Sequence, residues 1–316
     1  MASWALLTLL PRLLLHHTPH GGDAGARELK RRVALFDAGA WDVLLSTSRT
    51  QAERQANAAA RRRQQPHPPQ PEQMEEQRRI AKAMELVHAG ELSHAARALS
   101  SPGMAPGTAE TLAELRNPQL RPQHPRIPLP TGLEQFQPAQ RIALDRHIFG
   151  TVLRTSRKGL SSGMWGGRYE FFKLCLENDT SFEALCEVAE LLAQGRIPRR
   201  IADSLRISAL TALSKPDNRV RGIAAADTLR RLVAKSLARQ FQGIMRGAVA
   251  PHNFGISDRS GTDAAIHMLQ YLTDALPAKV IVSVDGVGAF DNISKACIFQ
   301  SLLQHPALHG HIPFVR

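Results

Sequence analysis

The sequence predicts an α+β fold, with a helical N-terminal region followed by a region in which helices surround a few short strands. Three observations carry this. Apolar residues recur at helical spacing through the first part of the chain, and short β-branched runs come only late, at Ile207 to Leu213 and Lys279 to Val284. Hydrophobic residues make up 43% of the chain and charged residues 22%, enough for an ordinary core. The 316 residues give room for roughly one to three domains. Collagen, a wholly disordered chain and a polytopic membrane protein are excluded on composition. Aromatic residues are only 5%, so Leu, Ala, Ile and Val supply most of the buried area.

Met1 to Leu15 is apolar, but no Lys or Arg precedes Ala5 to Leu10, and Pro11 and Arg12 interrupt the run. It does not read as a signal peptide, and no apolar stretch is long enough to span a membrane. An intracellular location, nuclear or cytoplasmic, is expected. Residues 1–60 form the N-terminal helical region: Leu29, Val33, Leu35 and Phe36 recur near helical spacing, and Trp41, Leu44 and Leu45 follow a Gly-containing turn. Residues 61–73 contain RRRQQPHPPQPE and read as a linker. Over 74–130 a helical hairpin is expected, with Ile80, Met84 and Val87 on one arm, a turn at Ala89-Gly90 and Leu92 to Leu99 on the other. A short helix opens at Thr111 with Glu114 closing a capping box, and a Pro-rich connector follows from Asn117 to Pro130. Residues 131–316 form the last domain, with helices at Pro138 to Thr155 and Tyr169 to Gln194 flanking a glycine-rich loop, Gly159 to Gly167.

Charge is concentrated. The net charge is +12, and between Gln194 and Arg246 twelve basic residues face three acids, leaving +9 of it in one sixth of the chain. Such a segment suits a polyanionic partner. Cys175, Cys186 and Cys297 are an odd, widely spaced set that suits a reducing compartment better than a disulfide framework.

Val280 to Val284 reads as a buried strand ending in Asp285, with Gly286 behind it. A strand-end carboxylate beside an accessible carbonyl suits a hard cation such as Mg²⁺. Phosphoryl transfer by a metal pair uses such groups to activate the attacking oxygen and steady the leaving one. The run VSVDGVGAFDNIS resembles the first catalytic palm motif of reverse transcriptases of the non-LTR retrotransposon type: an Asp, three variable residues, then Ala-Phe-Asp. Upstream, ALTALSKPDNRVRGIAAADTLRRLVAKSLARQF is similar to the fingers segment of that family, HNFGISDRSGTDAAIHML to its template-side segment and GLSSGMWGGRYEFFKLCL to the loop and helix that open its domain. The order and spacing of these blocks cover Arg141 to Arg316.

The resemblance implies a partial right-hand polymerase, fingers and an incomplete palm, in residues 131–316. It implies Asp285 as the catalytic metal ligand, Gly286 as a carbonyl ligand to Mg²⁺, and Phe290 as the aromatic gate against a ribose 2′-hydroxyl. Asp291 is implied as structural. Lys215 and Arg221 fall where the family holds the incoming triphosphate, with Arg219 competing for the second position; Gly222 stands where many relatives have Pro. Trp165 and Arg168 match template contacts, and so does Asn253, which stands where Gln is usual. The implied function is an RNA-directed DNA polymerase of retrotransposon origin, a nucleotidyltransferase, with RNA template, DNA primer and deoxynucleoside triphosphates as partners. The family's second acidic motif, a pair of Asp residues, is expected beyond the first, yet no Asp-Asp pair occurs and Arg316 lies 25 residues after Asp291. A truncated chain of this kind is expected to hold the second metal poorly and to be inactive alone. The alternative reading is a non-catalytic basic RNA- or DNA-binding module.

Rival motifs are weaker. Gly286-Val287-Gly288 places Asp291 where a dinucleotide site needs its third glycine, and Gly159-Leu160-Ser161-Ser162-Gly163 matches a nucleophile elbow without the strand that must precede it. His16, His17 and His20, and His305, His309 and His311, read as surface histidines rather than a metal site.

Overall fold

Helices begin where a side-chain oxygen takes up the unpaired N–H groups of a first turn, and this chain supplies such oxygens repeatedly. The computed structural model describes residues 2–15, 22–64, 72–88, 92–100, 103–119, 127–215, 219–256, 260–284 and 293–316. It is mostly helical with a small two-stranded sheet. The chain divides into two compact units. One comprises Leu6–Asn117 and Ala209–Ala225, the other Met1–Ala5, Pro118–Ser208 and Ala226–Arg316.

In the first unit, helix α1 (Ala2–Leu13), which begins in the other unit, ends at Leu13; Leu13 and the following Leu14 are buried with Leu44. Helices α2 (Gly22–Asp37) and α3 (Trp41–Gln64) pack together across a turn at Gly39, where Phe36 meets Trp41 edge to face at 4.5 Å. Arg32 is buried on α2; it donates to the carbonyl of Leu14 at 3.2 Å and to Glu28 at 2.9 Å. The Arg31 hydrogen bond, opposed by burial and aided by the weaker effect of Arg32, holds the Glu28 carboxyl down at about 2. Helix α3 runs to Gln64, four residues into the expected linker, because Arg and Gln are good helix formers and the first breaker is Pro66.

Helices α4 (Glu72–His88) and α5 (Leu92–Ser100) form the expected hairpin. Its buried contacts are the small Ala83 and Ala95, while Ile80, Met84, Val87, Leu92 and Leu99 remain exposed. Helix α6 (Ala109–Leu115) opens two residues before Thr111. Thr108 is its cap, taking the Thr111 N–H at 3.3 Å, and Thr111 is buried. Glu114 closes no capping box there; its carboxylate accepts the Val220 N–H at 2.6 Å.

The sheet pairs β1 (Ala209–Ser214) with β2 (Val220–Ala225), antiparallel, with Leu213 opposite Arg221 and Ala209 opposite Ala225. The other edge of β1 meets Gly103 to Ala105: Ser214 donates to Gly103 at 3.1 Å and Ala105 to Ala212 at 3.0 Å. Leu115 of α6 covers Gly222, where a Cβ would lie 3.2 Å from it. These contacts are why the hairpin clusters with the N-terminal helices, although its sequence position falls within the expected 131–316 domain.

The second unit is built on α7 (Arg146–Thr155), α9 (Asp179–Ala193), α10 (Arg199–Arg206) and α11 (Thr228–Gln240). Phe149, Val152 and Leu153 pack with Leu185, Ala189, Leu192, Ile201, Leu205, Leu232, Val233 and Leu237 in one core. Helix α7 starts at Arg146 rather than near Pro138, because Asp145 caps it by accepting the Ile148 N–H at 2.8 Å. The residues before it are extended, with Ile142 and Leu144 buried and their neighbours exposed. Side chains replace a neighbouring strand there. Glu190 accepts the Leu144 N–H at 3.1 Å, Gln194 donates to the Ile142 carbonyl at 2.7 Å, and Gln240 binds both Ala143 and Asp145.

The expected helix over 169–194 is broken into α8 (Tyr169–Lys173), a 3₁₀ turn at Leu174–Glu177 and α9, since Asn178 caps α9 by accepting the Ser181 N–H at 2.9 Å. Gly195 follows with φ +64°; a Cβ there would sit 2.7 Å from the Pro313 carbonyl oxygen. Helices α12 (Gln242–Val249), α13 (Gly261–Ala275), α14 (Lys295–Gln304) and α15 (Ile312–Val315), with a 3₁₀ segment at Pro306–His311, complete the unit.

The expected buried strand at Lys279 to Val284 is not one. The segment has no ladder partner among the described residues, and Val280, Ile281, Val282 and Val284 are 86%, 56%, 75% and 87% exposed. Strand preference in Val and Ile reflects packing on a pleated sheet, and β1 and β2, the nearest local pair in sequence, are satisfied by each other. His311 also departs from the surface reading: it is buried edge-on against Phe241, 4.4 Å between ring centres. No helix among the described residues is long and apolar enough to cross a membrane.

Candidate functional site

Register decides what the hairpin displays. In a strand, side chains alternate between faces, so Arg221 and Leu213, directly opposite each other, share one face. Lys215 donates its N–H to the Arg219 carbonyl at 2.8 Å, which extends the same pairing by one step across the turn. Lys215, Arg219 and Arg221 therefore stand on one face at the turn end of the hairpin. The opposite face carries Val220, which is buried, and Gly222, which lies under Leu115. Arg219 and Arg221 are exposed and Lys215 half-buried. Three cations on one face concentrate positive charge, which suits an anionic ligand.

In the other unit the glycine-rich loop is fastened to α10 and α11. Trp165 is half-buried and donates its indole N–H to the Ser204 carbonyl at 3.0 Å. The Thr228 hydroxyl donates to the Gly167 carbonyl at 2.6 Å. Arg231 donates to the Ser161 carbonyl and to the Thr228 hydroxyl oxygen, and stacks over the Tyr169 ring at 5.6 Å. Gly163, at φ +63°, lets the loop approach so closely that a Cβ would lie 2.7 Å from the Ala226 carbonyl oxygen. Glu170 ties the loop's other end by accepting the Gly159 N–H at 2.5 Å, and that bond lowers its carboxyl below the usual range. Arg168, next to this anchored loop, is exposed ahead of α8.

Asn253 folds back on its own turn, its side-chain oxygen accepting the N–H groups of Gly255 at 2.8 Å and Ile256 at 3.1 Å. Asp285, Gly286, Phe290 and Asp291 lie outside the described residues, as do His16, His17 and His20. Among the described residues no three His, Cys, Asp or Glu side chains group as metal ligands. Ser161 lies in a loop that follows α7 and a turn, without the strand a nucleophile elbow requires.

Sequence reasoning missed Asp227. It is buried at the start of α11 and caps it, accepting the N–H groups of Leu229 at 2.9 Å and Arg230 at 3.2 Å. Burial raises its carboxyl above the usual aspartate value, with these hydrogen bonds and then Arg231 opposing. The signal was present: an Asp directly before the apolar run of a helix is a cap signature. No known family profile, curated protein or solved structure matches this chain.

Proposed function

We propose that the chain is a reverse-transcriptase-like protein whose 209–225 hairpin grips phosphates through Lys215, Arg219 and Arg221. The observation that carries this is the register, which puts all three cations on one face at the turn. The concentration of positive charge between Gln194 and Arg246 supports the same partner class. In the family the chain resembles, a primer 3′-hydroxyl attacks an incoming triphosphate in line, and catalysis is largely positioning and electrostatics. By that resemblance Lys215 and Arg221 would steady the phosphates, Trp165, Arg168 and Asn253 would contact the template, and Phe290 would crowd the ribose. Mg²⁺, when held by Asp285 and the Gly286 carbonyl, supplies neutralisation of the remaining phosphate charge.

A second reading, a non-catalytic basic module for RNA or DNA, is favoured by the exposed, unpaired Val280 to Val284 directly before Asp285. One titration separates the two. Nucleoside triphosphate affinity is measured with and without Mg²⁺ for the wild type, Asp285→Asn and the double variant Lys215→Ala, Arg221→Ala. The polymerase-like reading expects loss of roughly tenfold or more in both variants, since hydrogen bonds to charged groups carry about 1.5 to 3 kcal/mol. Affinity indifferent to Mg²⁺ and to Asp285→Asn, with nucleic-acid binding retained, leaves the binding module.

A further inference from the structure

Beside α9, α10 and α11 lies a cleft of about 400 Å³, within the size range of ligand sites. Leu192, Leu205 and Phe314 form apolar parts of its lining, and Arg199, Arg206 and Arg230 face the same space. Arg199, Asp203 and Arg206 follow one another at spacings of four and three along α10, which places them on one side of that helix. Four arginines line the cleft, counting Arg316, against two side-chain carboxylates, Asp203 and Glu134.

The pairing is uneven. Arg206 is bound to Asp203 at 3.1 Å, and Arg316 donates to the carbonyls of Leu133 and Glu134. Arg230 is half-buried; its backbone N–H donates to Asp227 at 3.2 Å, and its guanidinium lines the cleft. Burial first, and then the nearby charge of Arg206, lower its pKa from the ordinary arginine value, against a smaller effect of Asp227. A half-buried guanidinium is only partly hydrated, and its planar fork matches an oxyanion with two parallel hydrogen bonds.

We propose that this cleft is a phosphate site that holds the terminal phosphate of a nucleic-acid strand, with Arg230 and Arg199 as its principal donors. A terminal phosphate carries close to two negative charges and can take the guanidinium forks of both Arg230 and Arg199, whereas a phosphodiester within a strand carries one charge. The apolar lining accommodates the first sugar and base. The identity of the ligand's body rests on the nucleic-acid reading above, but the site is separate from the hairpin cations in sequence and in its residues.

The test compares a short single-stranded oligonucleotide bearing a 5′-phosphate or a 3′-phosphate with its hydroxyl-ended counterpart, each labelled at the opposite end and followed by fluorescence anisotropy. One phosphorylated end is expected to bind about tenfold more tightly than the hydroxyl end. Arg230→Gln abolishes that difference while leaving hydroxyl-ended binding in place. Arg199→Gln, at an exposed position, reduces it in the same direction. Inorganic phosphate competes away the advantage in the wild type and has no such effect in Arg230→Gln. Equal affinity for all ends, with hydroxyl-ended binding intact, overturns the inference and leaves the hairpin proposal standing. Binding of inorganic phosphate with no binding of any strand overturns the assignment to a strand terminus. In the double variant Lys215→Ala, Arg221→Ala the end preference is expected to persist while overall affinity falls, and loss of the preference there overturns its assignment to this cleft.

Discussion

Two demands meet at Asp227. Its carboxylate oxygen serves as the cap of α11, and its burial disfavours the charge that makes it a strong acceptor. Because the folded state raises this pKa, the fold binds the proton more tightly than the unfolded chain does. Stability is then greatest below the unfolded value and falls as pH rises through the window up to the folded one. Asn keeps the accepting oxygen and has no charge to desolvate. Asp227→Asn is therefore expected to melt no lower than the wild type at neutral pH and to lose that decline, while Asp227→Ala loses about 1 kcal/mol through the missing cap. Thermal melts of the three proteins at several pH values check this. A destabilised Asn variant matching Ala means that the charge, not the oxygen, does the capping.

Elements were legible in the sequence where their signals are local. Helices α2 and α3, the α4–α5 pair and strand β1 follow periodicity and turn residues within a few positions, whereas α1 and β2 are not read from the sequence. The misplacements have a common cause: Asp145, Asn178 and Thr108 are caps, and a cap overrides apolar periodicity in setting where a helix begins. The three hairpin cations could be chosen from sequence, but their shared face follows only from the pairing of Lys215 with Arg219. The extended stretch at Ile142 to Asp145 was out of reach, because Gln194, Glu190 and Gln240, far away in sequence, complete its hydrogen bonding. Val280 to Val284 shows the opposite limit. Its residues favour strand, yet a strand exists only with a partner, and at this exposure none of them contributes core area. Val282→Thr is accordingly expected to change stability by no more than about 0.5 kcal/mol, the range of ordinary surface substitutions. Urea denaturation of the variant measures it, and a loss of more than about 1 kcal/mol shows that the segment is packed.

For the molecule as a whole, the uneven charge predicts how binding responds to salt. Cations that neutralise phosphates release condensed counterions, so the logarithm of affinity falls linearly with the logarithm of salt, by about 0.7 for each neutralised phosphate on a single strand. Lys215, Arg219 and Arg221 share a face and, on the proposed reading, act on the same polyanion. Replacing all three with Ala is then expected to lower the steepness of the salt dependence by about 2 on single-stranded RNA, with affinity lost almost equally across sequences. Base-specific recognition by these residues would instead weaken binding selectively and leave the slope nearly unchanged. The substitutions sit away from the face that packs on Leu115, so a melting curve close to the wild type is part of the expectation. An unaltered slope in a folded triple variant removes the hairpin from the interface and shifts the polyanion surface to the remaining arginines of α10 and α11.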